Sequence, residues 1–191
     1  MINLRKNQEG ISNLKLHLGC GPKFIEGWKH YDALEFPHVD IVGPVDQLPL
    51  ADCSAEIIYA SHVLEHFSRH KCIDVLKEWY RVLKPDGILR LAVPNFAAAC
   101  EIYSQLGSVD KIETIKGLVC GGQKDKYDYH GNIFDYSSLE SVLKSAGFKT
   151  VRSWNWRETE HSHIDDYSQA YLPHMDKNSG KLMSLNVEGL K

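Results

Sequence analysis

Gly19 and Gly21 stand one residue apart after a largely apolar run, in Leu16-His17-Leu18-Gly19-Cys20-Gly21-Pro22. With no Cβ in the way the backbone can turn tightly there and approach a ligand, and the amides that follow can point at an anion. A dinucleotide fingerprint would place a third glycine three residues on and an acidic ribose partner about 20 residues along. This chain has Phe24 at the first of those places, and its carboxylate, Asp32, comes only 11 residues after Gly21. A nicotinamide dinucleotide is therefore disfavoured, yet a carboxylate at that position can still accept from two ribose hydroxyls.

A second constellation is His62-Val63-Leu64-Glu65-His66. On a helix this H-x-x-E-H spacing sets two imidazoles on one face, as inverted zinc peptidases do. Only three positions of the five are fixed, so chance matches are common and zinc hydrolysis is the remote reading. Near the end, His161, His163, Asp165, Asp166 and His174 gather within 14 residues. Carboxylates beside Ser and Tyr usually form turns or stay solvated, so no metal is expected there either.

The elements that position these groups follow from periodicity. Apolar runs predict strands at 14–18, 28–32, 39–42 and 56–60, the last two separated by a turn around Leu48-Pro49-Leu50. Ile73, Leu76, Trp79, Tyr80 and Leu83 recur at helical spacing over 70–83, and Pro85-Asp86-Gly87 ends that helix. A strand at 88–93 closes at Pro94-Asn95, before a helix over 96–106. Ser137 or Ser138 can cap a further helix over Leu139, Val142 and Leu143 that stops at Gly147. Residues 148–156 read as an antiparallel edge partner and 182–187 as the last strand.

Strands alternating with helices predict an α/β fold on a mostly parallel sheet, with ligands outside the carboxyl ends of the strands. Two features resist. Lys15 and His17 alternate with Leu14, Leu16 and Leu18, so one sheet face is expected to be poorly covered, which would invite a homodimer. Residues 21–29 are also too few for a crossover with a full helix, whose normal length is roughly 10–12 residues.

The chain has 191 residues, 43% hydrophobic and 25% charged, with no linker or repeat, and reads as one domain over 1–191. Its longest stretch without Asp, Glu, Lys or Arg, from Leu91 to Cys100, is half of what a membrane span needs, about 20 residues. MINLRKNQEGISN lacks the apolar core of a secretory signal, so a cytoplasmic location is expected. Five cysteines without a C-x-x-C pair indicate neither disulfides nor a zinc knuckle. A net charge of −3 without a basic tract makes nucleic acid an unexpected partner.

Taken in order, LHLGCGPK, the HYD ending the second strand, DQLPLADCSAEIIYASHVLEHF and LKPDGILRLAVPN resemble the successive motifs of class I S-adenosylmethionine-dependent methyltransferases. The likeness covers residues 14–95 and is greatest to the small bacterial type-11 kind. It implies a Rossmann-like fold: a mostly parallel seven-stranded sheet with an antiparallel last strand, a short first crossover, a cofactor half (14–95) and an acceptor-binding half (96–191). It also implies that Gly19, Cys20 and Gly21 pass beneath the cofactor's amino-acid carboxylate and sulfonium. Asp32 would hold the ribose, with Ala60, Ser61 and His62 lining the opposite side. The family's Asp beside adenine aligns with Pro44, which leaves the Val45 amide or Asp46 to read the base.

The segments GGQKDKYDYHGNIFDYSSLESVLKSAGF and IDDYSQAYLPHMDKNSGKLMSLNVEGLK resemble parts of predicted methyltransferases of sugar and polysaccharide biosynthesis. Gln123, Tyr127, Tyr129 and His130 suit a hydroxylated acceptor, so O-methylation is expected, with S-adenosylhomocysteine as product. A hydroxyl nucleophile must lose its proton, and His130 is the expected base, with His66 in reserve. The tail would fold over the acceptor or pair as the last strand. The rival reading is a non-catalytic S-adenosylmethionine-binding partner or sensor module, suggested by Pro44 and the truncated crossover.

Overall fold

The structure, a computed structural model, describes residues 13–105 and 111–191. The apolar runs become β1 (Leu14–Leu18), β2 (Lys29–Asp32), β3 (Ile41–Val42), β4 (Ala55–Ser61) and β5 (Leu83–Pro94), all parallel. β6 (Thr150–Ser153) and β9 (Ser184–Leu190) complete a seven-stranded sheet of order β3-β2-β1-β4-β5-β9-β6, in which β9 is antiparallel to both neighbours. β7 (Tyr171–Leu172) and β8 (Lys181–Leu182) form a separate two-stranded ribbon. This is the expected sheet, with the last strand inserted inside it and the 148–156 segment at its edge. Among the described residues no helix is long and apolar enough to cross a membrane.

Helices α1 (Cys72–Val82) and α4 (Tyr136–Ala146) bury their apolar stripes on one face of the sheet, where Leu76, Trp79, Leu139 and Leu143 meet Leu16, Ile58, Leu89 and Leu91. Each such side chain, fully withdrawn from water, contributes about 1.5–3 kcal/mol. Trp79 also donates its indole N–H to the Val45 carbonyl at 2.8 Å, which pins the loop after β3 to the core. α1 ends where Pro85-Asp86-Gly87 predicts: Asp86 takes a φ of 62°, and the pairing with β4 jumps from Leu83 to Ile88.

The cap of α4 is Asp135, not Ser137 or Ser138. Both serines lie inside the helix, Ser138 at its third position, and Asp135 Oδ1 accepts from Ser138 N at 2.8 Å. Ser138 Oγ reciprocates by accepting from Asp135 N at 3.0 Å, and Gly147 at φ 114° closes the other end. α2 (Phe96–Gln105) starts under a hydrogen bond from Ala98 N to Asn95 Oδ1. The predicted last residue of that helix, Leu106, lies outside the described residues. α3 (Lys111–Cys120) had no sequence signal, because among its described side chains Ile115 alone is buried.

The other face of the sheet is covered, contrary to expectation. No helix forms between β1 and β2, as the short crossover predicts, and its place is taken by residues from the far end of the chain. His17 is only 2% exposed, stacked on Tyr59 at 5.2 Å, while Trp28, Trp154, His161 and Ile164 pack over the pair. The alternation of Lys15 and His17 therefore marks an aromatic and imidazole layer, and the argument for a dimer from an open face falls.

Candidate active site

The chain reverses its lateral direction at β1: β2 and β3 lie on one side, β4 and β5 on the other. Loops leaving the carboxyl ends of β1 and β4 therefore diverge and open a crevice between them. Two cavities occupy it, of about 420 and 470 Å³, and both are lined by Gly19 after β1 and His62 after β4. The first runs past Asp32, Leu34, Val45 and Asp46 to His66 and Tyr127. The second lies among Cys20, Gly21 and Ser61 and the tail residues Asp165, Tyr167 and His174.

Gly19 has a φ of +60°, and a Cβ there would come within 2.4 Å of Val63 Cγ2. Gly21, at φ +52°, has open space where its Cβ would be. Packing demands the first glycine, and backbone conformation alone favours the second. Asp32, 8% exposed, ties this loop to the one after β2: Oδ2 accepts from Gly21 N at 2.7 Å and Oδ1 from Leu34 N at 2.8 Å. A carboxylate offers about four acceptor positions, so roughly half remain for a ligand. Beside it the Cys20 thiol is pushed up to about 12 by burial and by the Asp32 charge, which leaves it protonated and unreactive.

His62 takes a φ of 55°, uncommon outside glycine, and so turns inward at the end of β4. Its Nδ1 lies 3.2 Å from Glu65 Oε1 and its Nε2 3.3 Å from Ser184 Oγ. Ser184 Oγ donates to Asn186 Oδ1, and Asn186 Nδ2 donates to the Ser168 carbonyl, so a buried polar chain links His62 to the tail. Because His62 precedes the single 3-10 turn Leu64–His66, it shares no helical face with His66, and the zinc-peptidase reading loses its geometry.

His66 is paired instead with His130, their ring centres 5.1 Å apart. His66 Nδ1 lies 3.1 Å from the Tyr129 carbonyl and His130 Nδ1 3.0 Å from the Leu118 carbonyl. A carbonyl only accepts, so both rings donate from Nδ1 and Nε2 keeps the lone pair in the neutral form. Burial lowers the His130 pKa, with the Glu65 charge opposing and His66 adding to the drop, so this imidazole is neutral at pH 7. The amides of Gly131 and Asn132 donate to the Glu65 carbonyl at 2.8 and 3.1 Å and hold the two segments together.

Residues 16–91, from β1 into β5, match the family model described as a methyltransferase domain. The matched stretch takes in the Gly19 to Gly21 turn, Asp32 and His62. The crevice has the features that S-adenosylmethionine would need: a glycine cradle that a Cβ would fill, and a buried carboxylate with acceptor positions to spare. The fold agrees with solved class I structures. A SAM-dependent methyltransferase from Thermotoga maritima superimposes with a TM-score of 0.58 at 16% identity, covering 93% of this chain and 82% of that one. One from Archaeoglobus fulgidus gives 0.57 at 14% identity, over 94% and 86%. The 1,6-didemethyltoxoflavin-N1-methyltransferase of Burkholderia thailandensis, with its substrate and S-adenosylhomocysteine bound, gives 0.56 at 16% identity, over 93% and 70%. No curated protein matches the sequence.

In this protein Gly19, Cys20, Gly21, Asp32, Val45, Asp46, Ser61 and His62 all line one cavity or the other. Ala60 is 1% exposed and sits in the core one residue short of the opening. Of the loop after α3, Tyr127 reaches the first cavity, while Gln123 and Tyr129 carry exposed side chains away from both. Tyr129 contributes its carbonyl to His66, and His130 stands beside His66 rather than on the cavity wall. Leu34, Val63 and Phe67 line the first cavity without having been singled out in the sequence, since isolated apolar residues carry no chemical signature.

Proposed function

We propose that this protein is a methyltransferase that places the methyl group of S-adenosylmethionine on a hydroxyl of a small polar acceptor, with a sugar or sugar nucleotide the best match. The observation that carries the reading is the two-lobed crevice that pivots on Gly19 and His62, with Asp32 in one lobe and the polar tail in the other. Asp32 accepts from the ribose hydroxyls, and the Gly19 to Gly21 turn passes beneath the amino-acid carboxylate. Leu34 and Val45 flank the adenine, whose edge meets the Val45 amide or Asp46. Ser61 and His62 close the opposite wall.

The bound cofactor would supply an electrophilic methyl on a positive sulfur; this chain's part is to hold the acceptor oxygen in line with the C–S bond, whose electron pair would leave on sulfur as the O–C bond forms. His130 takes the hydroxyl proton on Nε2, which burial keeps free to accept, and His66 stands beside it as reserve. Tyr127, on the wall of the first cavity, contacts the acceptor, whereas the exposed side chains of Gln123 and Tyr129 would reach it only if their loop closed over the crevice.

The test joins binding to product. S-adenosylhomocysteine at 100 times its dissociation constant should stabilise the fold by about 2.7 kcal/mol, and mass spectrometry of candidate sugar nucleotides should show the gain of one methyl. Absence of any thermal shift would overturn the reading. A shift without methylated product across such acceptors would favour the sensor module.

Asp32→Asn should weaken S-adenosylhomocysteine binding by about 10- to 100-fold, the worth of hydrogen bonds to a charged group, as read by calorimetry. His130→Ala should lower kcat about a hundredfold with cofactor affinity unchanged. Unaltered turnover on a methylated acceptor would remove His130 from the chemistry.

A further inference from the structure

Glu65 is fully buried, and neither of its carboxylate oxygens has a hydrogen-bond partner among the described residues. The His62 imidazole approaches it, with Nδ1 3.2 Å from Oε1. A carboxylate left in that state lacks several kcal/mol of the solvation it had in water, so something else must balance it. One ligand-capable atom each of Glu65, His66 and His130 lies within 4.8 Å of the others.

The two imidazoles are arranged as metal ligands are. Ligating histidines characteristically give the other ring N–H to a backbone carbonyl, which fixes tautomer and orientation. His66 does so to Tyr129 and His130 to Leu118. The framework is held before any ion arrives, because the Glu65 carbonyl accepts from Gly131 and Asn132 and His130 N donates to the Cys120 carbonyl. His66 also lines the first cavity, so a fourth coordination position would face the crevice.

We propose that Glu65, His66 and His130 form a binding site for one divalent first-row transition ion, open on the side of the crevice. Two imidazoles and a carboxylate suit zinc, manganese, cobalt or iron(II), and three protein ligands with an open position is the form of a catalytic centre. His62 is the outer partner that orients the Glu65 carboxylate. The H-x-x-E-H segment thus contributes its Glu and second His, and the remaining imidazole comes from 64 residues further on. The proposal deepens the O-methylation reading. An ion held there would lower the pKa of an acceptor hydroxyl on its open position, so that in the loaded site the ion takes over the proton-removing part that the free His130 imidazole plays without it, and the proton leaves to solvent.

The test uses untagged protein stripped with chelator and titrated with Co²⁺, read by visible absorption and calorimetry. One equivalent should bind and give ligand-field bands, and the affinity should fall at least a hundredfold in the His66→Ala/His130→Ala double variant. Glu65→Gln, which keeps shape and volume, should weaken binding in the same direction. S-adenosylhomocysteine affinity, measured in parallel, reports whether each variant is folded and tests the methyltransferase reading separately. No band at one equivalent of Co²⁺, or the same band in a double variant that still binds S-adenosylhomocysteine, would overturn the site.

Discussion

Gly19→Ala should abolish cofactor binding, whereas Gly21→Ala should only weaken it. Both substitutions force a side chain into the left-handed region, a strain of roughly 1–2 kcal/mol. They differ in what the new methyl meets. At Gly21 nothing lies within 4 Å, but at Gly19 the methyl would sit 2.4 Å from Val63 Cγ2. Val63 is 7% exposed and β-branched, so it has few rotamers with which to retreat, and overpacking of this kind costs about 1–3 kcal/mol. The strand end must move instead, and it carries the wall common to both cavities. Calorimetry with S-adenosylhomocysteine should show about a thousandfold loss for Gly19→Ala and about tenfold for Gly21→Ala. Equal affinities for the two variants would mean that the β1 turn does not shape the site.

The second large effect is on stability against pH. His17 and His161 are each 2% exposed and pack on Tyr59, and burial is the main cause that lowers their pKa values to about 3 and about 4. For His17 the neighbouring His30, His161 and His38 add to the drop, and for His161 Arg90 does so against the opposing charges of Glu160 and Asp166. In the unfolded chain both imidazoles titrate near 6.5. Between the two values the unfolded state binds more protons than the folded one, so stability is complete above about pH 6.5 and falls as pH drops. Each group loses about 1.4 kcal/mol per pH unit, and at pH 5 the pair has lost about 4 kcal/mol, a large share of an ordinary domain's stability. Urea midpoints measured from pH 8 to 4 should fall steeply below 6.5. A flat profile from pH 7 to 5 would contradict the buried neutral layer.

That layer also shows what could and could not be read from the sequence. The alternation of Lys15 and His17 announces a strand with one unusual face, but not that Trp154 and His161, more than 130 residues away, supply its cover. Local signals were faithful where the cause is local. The Gly-Cys-Gly turn, the end of α1 at Pro85-Asp86-Gly87 and the stop of α4 at Gly147 all depend on residues within a few positions of one another. Predicting a serine cap on α4 failed by one turn chemistry, because Asp135 and Ser138 cap reciprocally. α3 was missed because its packing is mainly against α2, which leaves little periodic trace.

The candidate site divides the same way. Asp32, Val45, Asp46 and His62 stand where strand ends put them, and a motif in sequence order suffices to find them. The pairing of His66 with His130 depends on a loop folding back through the Glu65 carbonyl, and Gln123 and Tyr129 show how little a polar composition says about direction. A helical reading of His62 to His66 failed at one dihedral angle, the positive φ of His62.

The position of β9 between β5 and β6 bears on how the molecule is built. The segment 184–190 becomes an interior member of the sheet, and among the described residues β6 pairs with no other strand. Residues contributing to the second lobe, from Asp165 to Met175, reach the ribosome exit only shortly before it. A nascent chain thus carries the donor-binding turn early but with its sheet unfinished and the aromatic layer over His17 exposed. Long sequence separations of this kind slow folding, so the sheet stays open until residues 184–190 have been made, and products arrested before them should be clients of chaperones and proteases.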